Sequence, residues 1–210
     1  MKFAVRLLSD LAPDYVLAPE RHVALAQAGD GIPLGELVVE RNERIDPAVE
    51  RDAMVLDTSH ARDGLLDVAG ALRDMAGTKS AKKRALPGDL VVSRLRPYLR
   101  QIALIHPRAL GPIAARPLAL STEFYVLSPR ARGEDLAFLL PYLLAPEAQA
   151  LLASAQEGGH HPRVPRPTLL ALRIPRPLVE ARAHTSKAVS SALAAFYEAS
   201  TSLRSLLDEG

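Results

Sequence analysis

The stretch KKRALPGDLVVSRLRPYLRQIAL, residues 82–104, carries two patterns at once. Leu90, Val91, Val92, Leu95 and Leu99 make it a buried strand and its continuation. Lys82, Lys83, Arg84, Arg94, Arg96 and Arg100 make it a ladder of positive charge. The turn LPGD separates the two halves: Pro87 fixes one φ and Gly88 accepts a positive φ, which launches a strand at Leu90. At period two, Val92, Arg94, Arg96, Tyr98 and Arg100 share one face, and Val91, Ser93, Leu95 and Leu99 share the other. Pro97 cannot donate to a ladder, so the segment is expected to be an edge strand or to bulge at that point. Either arrangement leaves several guanidinium groups open to a partner.

The rest of the chain sharpens the contrast. Its 210 residues carry a net charge of only +2. Residues 79–108, however, hold 8 Lys and Arg against 1 acid, whereas residues 1–78 hold 8 against 14. A local field of this kind suits an anionic partner, nucleic acid above all. The alternative is a solvated face balanced by acids from the first 78 residues. Hydrophobic residues make up 48%, enough for a packed core. With no Cys, disulfides and thiolate metal sites are excluded. Only 4% of residues are aromatic and Trp is absent, which argues against stacking on single strands. No apolar run reaches the ~20 residues of a membrane span and no signal peptide is read. The expectation is a soluble cytoplasmic protein without a membrane partner.

Further along, Leu37–Val39 and Met54–Leu56 read as short strands and residues 73–85 as an exposed loop. STEFYVLSP, residues 121–129, is a clear strand. Residues 133–156 read as helix, kinked or split at Pro141, with Pro146 opening a second helix. Residues 157–167 read as a loop with paired glycines, and LLALRIPRP as a last short strand with a Pro stop. From Leu178 to Leu207 there is no Gly or Pro. Val189, Ala192, Phe196, Ala199, Leu203 and Leu206 follow one another at 3, 4, 3, 4 and 3 residues, a heptad seam. It reads either as a helix packed on its own domain or as a helix facing a partner.

No constellation for chemistry emerges. HExxH, GxxxxGK[ST], GxSxG and a GxGxxG loop after a strand are all absent, and His160 and His161 are adjacent rather than at helical ligand spacing. The chain reads as a binder, not an enzyme, with no cofactor and no metal.

LPGDLVVSRLRP, STEFYVLSP, QEGGHHPRV and LLALRIPRPLVEAR, in that order, resemble the target recognition domain of type I restriction–modification specificity subunits. Upstream, LGEL and VLDTSHARDG are similar to the family's opening strand and its strand-turn-Gly element. The resemblance runs from about residue 34 onward. It implies an α+β fold: a mixed, mainly antiparallel sheet with packed helices and a long C-terminal amphipathic helix. It also implies a recognition domain over residues 1–177 and a spacer or dimerisation helix over 178–210. The implied activity is sequence-specific binding of double-stranded DNA for a partner DNA adenine methyltransferase, in a restriction or phage-defence complex. The family's usual subunit has two recognition domains and two spacers. This chain has room for one of each, so a homodimer through residues 178–207 would restore the pair. Two rival classes stay open: a small-molecule or RNA enzyme whose site carries none of these motifs, and a structural adaptor that acts through the C-terminal helix without touching DNA.

On the DNA reading, Arg94, Arg96 and Arg100 are the best base readers, because Arg bonds guanine O6 and N7 bidentately. Tyr98 could pack among them. Lys79, Lys82, Lys83 and Arg84, on the expected loop, suit phosphate contact. His160, His161 and Arg163 lie beside glycines that let backbone approach DNA. A second role is open to Arg94 and Arg96: ion pairing with Glu123 or Asp57 to hold the fold.

Overall fold

The computed structural model describes residues 30–74, 81–158 and 162–208. Lys79, His160 and His161, and the start of the expected recognition domain, lie outside the described residues.

In chain order the elements are β1 (Ile32–Pro33), α1 (Leu34–Leu37), β2 (Val38–Glu40), β3 (Arg44–Ile45), β4 (Met54–Leu56), β5 (Ala61–Arg62) and β6 (Leu65–Leu66). Then come α2 (Val68–Arg73), β7 (Lys82–Ala85), β8 (Leu90–Ser93), β9 (Ile102–Leu104), α3 (Pro107–Leu110), β10 (Leu118–Leu120) and β11 (Phe124–Pro129). The chain continues through α4 (Leu139–Leu144), α5 (Pro146–Ser154), α6 (Arg166–Leu170), β12 (Arg173–Ile174), α7 (Arg176–Glu180) and α8 (Arg182–Asp208).

Two four-stranded sheets dominate, ordered β2-β11-β8-β9 and β3-β7-β10-β4. The first is antiparallel throughout; in the second, only β10 and β4 run parallel. The fold is therefore α+β with mainly antiparallel sheets, as the resemblance implied.

Alternation along β8 explains the layers. Leu90 and Val92 join Ile102, Leu104, Tyr125 and Leu127 on one face, where α4 and α5 supply Leu139, Leu140, Leu143 and Leu152. Val91 joins Ala103, Phe124 and Val126 on the other face, against Met54, Leu56, Leu118 and Leu120 of the second sheet. Both faces of β8 and β11 are thus buried, which is why their apolar runs are nearly continuous.

The turn before β8 forms as its residues dictate. Gly88 sits at φ +90°. Asp89 is 2% exposed and gathers the turn around one carboxylate. It accepts from the Leu86 N–H (2.9 Å), the Ser128 hydroxyl (2.6 Å) and the Arg41 guanidinium (2.8 and 3.2 Å). A buried charge is tolerated there because every lone pair has a donor.

Several expectations need correction. Strand β8 ends at Ser93 and does not run on to Arg100. It lies between β11 and β9, so it is not an edge. Pro97 instead opens a short 3-10 turn, Pro97–Leu99, between Arg96 (φ +44°) and Arg100 (φ +52°). The period-two face assignment therefore lapses beyond Ser93. Residues 82–85 are strand β7, not loop, because β7 pairs with both β3 and β10. Pro141 causes no split: α4 begins at Leu139, so Pro141 falls in its first turn, where no intrahelical N–H is required. Met54–Leu56 and the Pro146 helix start stand as expected.

Candidate functional site

The basic ladder folds into three environments. Lys82 and Lys83 are buried, at 8% and 7% exposure. Lys82 pairs with Asp57 at 3.7 Å. The Lys83 ammonium donates to Glu40 and to the Phe124 carbonyl, both at 2.8 Å, and lies 5.7 Å from the Tyr125 ring centre. Arg166 donates to the same Glu40 at 2.6 Å. Burial alone would raise the Glu40 pKa, but its bonds to Lys83 and Arg166 prevail and lower it. Arg84 pairs with Glu43 (2.7 Å) and Glu50 (2.6 Å). Lys82, Lys83 and Arg84 are therefore tied to acids in or beside the two sheets. This corrects their placement on an exposed loop: β-pairing on both sides of β7 draws them in.

The second environment is a carboxylate held by two arginines. Arg94 donates to Glu123 Oε2 at 2.7 Å. Arg163 donates to Glu123 Oε2 at 3.0 Å and Oε1 at 2.8 Å. The hydrogen bond from Arg163, joined by that from Arg94, pulls the Glu123 carboxyl down to a pKa of about 2. Backbone pairing runs alongside: Val164 N–H donates to the Arg94 carbonyl at 2.8 Å, and Leu95 and Arg163 form an antiparallel bridge. The Tyr125 hydroxyl donates to the Val164 carbonyl at 2.8 Å. Residues 94–95 and 163–164, seventy positions apart, thereby form one surface. Of the two partners proposed for Arg94, Glu123 is the one it meets; Asp57 meets Lys82.

The third environment is the 96–100 turn. Arg100 is fastened down by an ion pair with Asp63 and by donation to the Leu144 carbonyl at 2.9 Å. Arg96 is exposed and makes no side-chain hydrogen bond or ion pair among the described residues. Tyr98 is 67% exposed, while Pro97 before it is buried.

Sequence reasoning missed Asp63, Glu40 and Asp89. The available signal was the acidic excess upstream of the basic segment; which acid meets which base depends on the sheet register.

Helix α8 presents a different face to the domain than the heptad seam. Ser186, Leu193 and Tyr197 are buried, and Val189 is half-buried against the same core. The Tyr197 hydroxyl accepts from the Leu66 N–H at 2.8 Å. Ala192, Phe196, Ala199, Leu203 and Leu206 are exposed, with Leu203 at 58% and Leu206 at 70%. Of the seam residues, then, Val189 alone packs on the domain. No helix among the described residues is long and apolar enough to cross a membrane, and no group of three His, Asp or Glu among them could hold a metal ion.

No protein-family model and no curated protein matches the sequence. Solved structures do match. A chain from a structure on complex assembly and conformational transition of the type I R-M system is 23% identical, with a TM-score of 0.50 over 86% of this chain and 46% of that one. The HsdS subunit from Thermoanaerobacter tengcongensis is 21% identical, with a TM-score of 0.48 over 85% of this chain and 44% of that one. The chain spans a little under half the length of these structures. Its fold is that of the corresponding part of the type I restriction–modification chain.

Proposed function

We propose that this chain is a non-catalytic DNA recognition protein of the type I specificity kind. It binds duplex DNA at a particular sequence and directs a partner adenine methyltransferase there, within a restriction–modification or phage-defence complex in the cytoplasm. The observation that carries the reading is the fold match over 86% of the chain. The order of motifs from LPGDLVVSRLRP to LLALRIPRPLVEAR supports it independently. The recognition surface comprises the 94–100 segment together with Arg163, and Lys79, His160 and His161 join them as DNA-contacting residues on the sequence reading alone. The exposed seam of α8 is the assembly face, which takes a second copy or the methyltransferase and makes residues 178–210 a working unit apart from residues 1–177.

A specific observation favours a second reading. Lys82, Lys83, Arg84, Arg94 and Arg100 are all ion-paired within the chain, which removes much of the field that would attract DNA. An adaptor acting through α8 alone would have this property.

Selection from random duplex DNA separates the two, run with the chain alone and with any adenine methyltransferase encoded beside it. The recognition reading expects one short sequence to be enriched, and methylation of that sequence only when both proteins are present. Enrichment of nothing in either arm, with the methyltransferase still captured by the chain, would leave the adaptor.

A further inference from the structure

The arginines of residues 94–100 differ in what surrounds them, and the difference divides their labour. Arg94 is engaged with Glu123, and Arg100 with Asp63 and the Leu144 carbonyl. Between them the chain makes a turn that most residues resist. Arg96 (φ +44°, ψ 66°) and Arg100 (φ +52°, ψ 38°) are both left-handed and neither is glycine. Such backbone persists only where its surroundings over-determine it. Here they do. Leu99 N–H donates to the Arg96 carbonyl at 2.9 Å and Arg100 N–H to the Pro97 carbonyl at 2.7 Å. Asp63 N–H donates to the Arg100 carbonyl at 3.0 Å, and Pro97 is buried. The two side chains the turn raises into solvent are Arg96 and Tyr98, a guanidinium unpaired among the described residues and a ring that is 67% exposed.

We infer that Arg96 and Tyr98 form the base-reading pair of this protein, displayed on a rigid turn, and that Arg94, Arg100 and Arg163 build the platform beneath them without reading bases. This rests on the DNA-recognition reading above and deepens it. Arg96 offers the bidentate fork that fits guanine O6 and N7 in the major groove. Tyr98 offers an apolar ring edge for a thymine methyl and a hydroxyl that can donate or accept. Because the backbone is fixed beforehand, little is left to order on binding. A side chain committed to a carboxylate, in contrast, must give up that bond before it can reach a base.

The left-handed φ of Arg96 supplies a test that does not confound reading with folding. Arg96→Gly relieves the backbone at that position, so its melting temperature should stay level or rise. The same variant should lose ~5- to 150-fold in preference for the selected sequence over its single-base variants. Tyr98→Ala should leave the melting temperature level and also weaken the preferred site, with Tyr98→Phe separating ring from hydroxyl. Arg94→Ala should lower the melting temperature and leave the preferred sequence as it was. Binding by the full chain, with its methyltransferase where required, is read against the selected duplex and its variants. If the unaltered protein selects a sequence, and Arg96→Gly and Tyr98→Ala keep the same affinity and preference, this inference falls while the recognition function stands. If the unaltered protein selects none, both fall together.

Discussion

Glu123 shows how one residue decides the role of its neighbours. Two guanidinium groups converge on it, from Arg94 and from Arg163 across the bridge at Leu95. Its pKa is drawn from the ordinary 4.5 to about 2. A carboxyl with a lower pKa in the folded than in the unfolded state stabilises the fold above its unfolded pKa. That contribution drains away as pH falls toward the folded value. The unmodified protein should therefore lose about 2 kcal/mol between roughly pH 5 and pH 2 from this group, after discounting for the partial exposure of the arginines. Glu123→Gln should be less stable at pH 7 by a similar amount, and its stability should fall less steeply over that window. Urea unfolding at a series of pH values measures both. Equal acid slopes in the two proteins would show that the pair contributes nothing.

At the scale of elements, α8 is a helix with two apolar faces and one neighbour. The domain takes the face with Ser186, Leu193 and Tyr197, and Phe196 touches Tyr197 edge-on with ring centres 5.4 Å apart. The heptad seam points elsewhere. Phe196→Asp with Leu203→Asp should thus leave thermal stability within ~1 kcal/mol, since both side chains are solvent-exposed in the single chain. The same pair placed in an interface would bury unpaired carboxylates and abolish it. Light scattering and methyltransferase pull-down should show loss of the dimer or the partner in a protein that still folds. Leu193→Ala, in contrast, should cost ~2–4 kcal/mol in unfolding experiments, because it opens a cavity in the domain core. Unchanged assembly in the double aspartate variant would remove the seam from any interface.

Over the whole molecule, the charge segregation along the sequence is largely undone by folding. The basic segment 79–108 meets Glu40, Glu43, Glu50, Asp57 and Asp63, all from the acidic first part of the chain. Replacing Lys82, Lys83 and Arg84 together by Ala should therefore act on stability before it acts on DNA. Of the three, Lys83 shares with Arg166 the hold on Glu40, whose side chain is 6% exposed, and breaking such a buried pair costs ~3–5 kcal/mol. Melting temperature should fall markedly. The slope of log affinity against log salt should change by less than about one phosphate contact, not the roughly three that three free surface cations would give. A triple variant with normal melting and a slope flatter by three would return these residues to the interface.

Local chemistry made several features readable in advance. Pro87, Gly88 and Asp89 specify a turn; the β-branched and aromatic run at 124–127 specifies a strand; Pro146 specifies a helix start. These depend on φ, on Cβ branching and on a missing N–H, all properties of the residue itself. The α+β class followed from the family resemblance carried by LPGDLVVSRLRP, STEFYVLSP and LLALRIPRPLVEAR in that order. The division among the arginines did not follow, because strand parity holds only while the strand lasts, and β8 stops at Ser93 where the chain turns left-handed. Nor did the burial of Lys82 and Lys83, which results from β3 and β10 closing on both sides of β7. The seam on α8 was visible as a period of 3.5, but which stripe the domain would cover was decided by Leu66, Phe138 and Asp135, far away in sequence and bonded to Tyr197, Ser186 and Ser190. Backbone preference is local and is written residue by residue. The choice of partner for a charge or an apolar face is made by distance in three dimensions, and only the folded chain sets that distance.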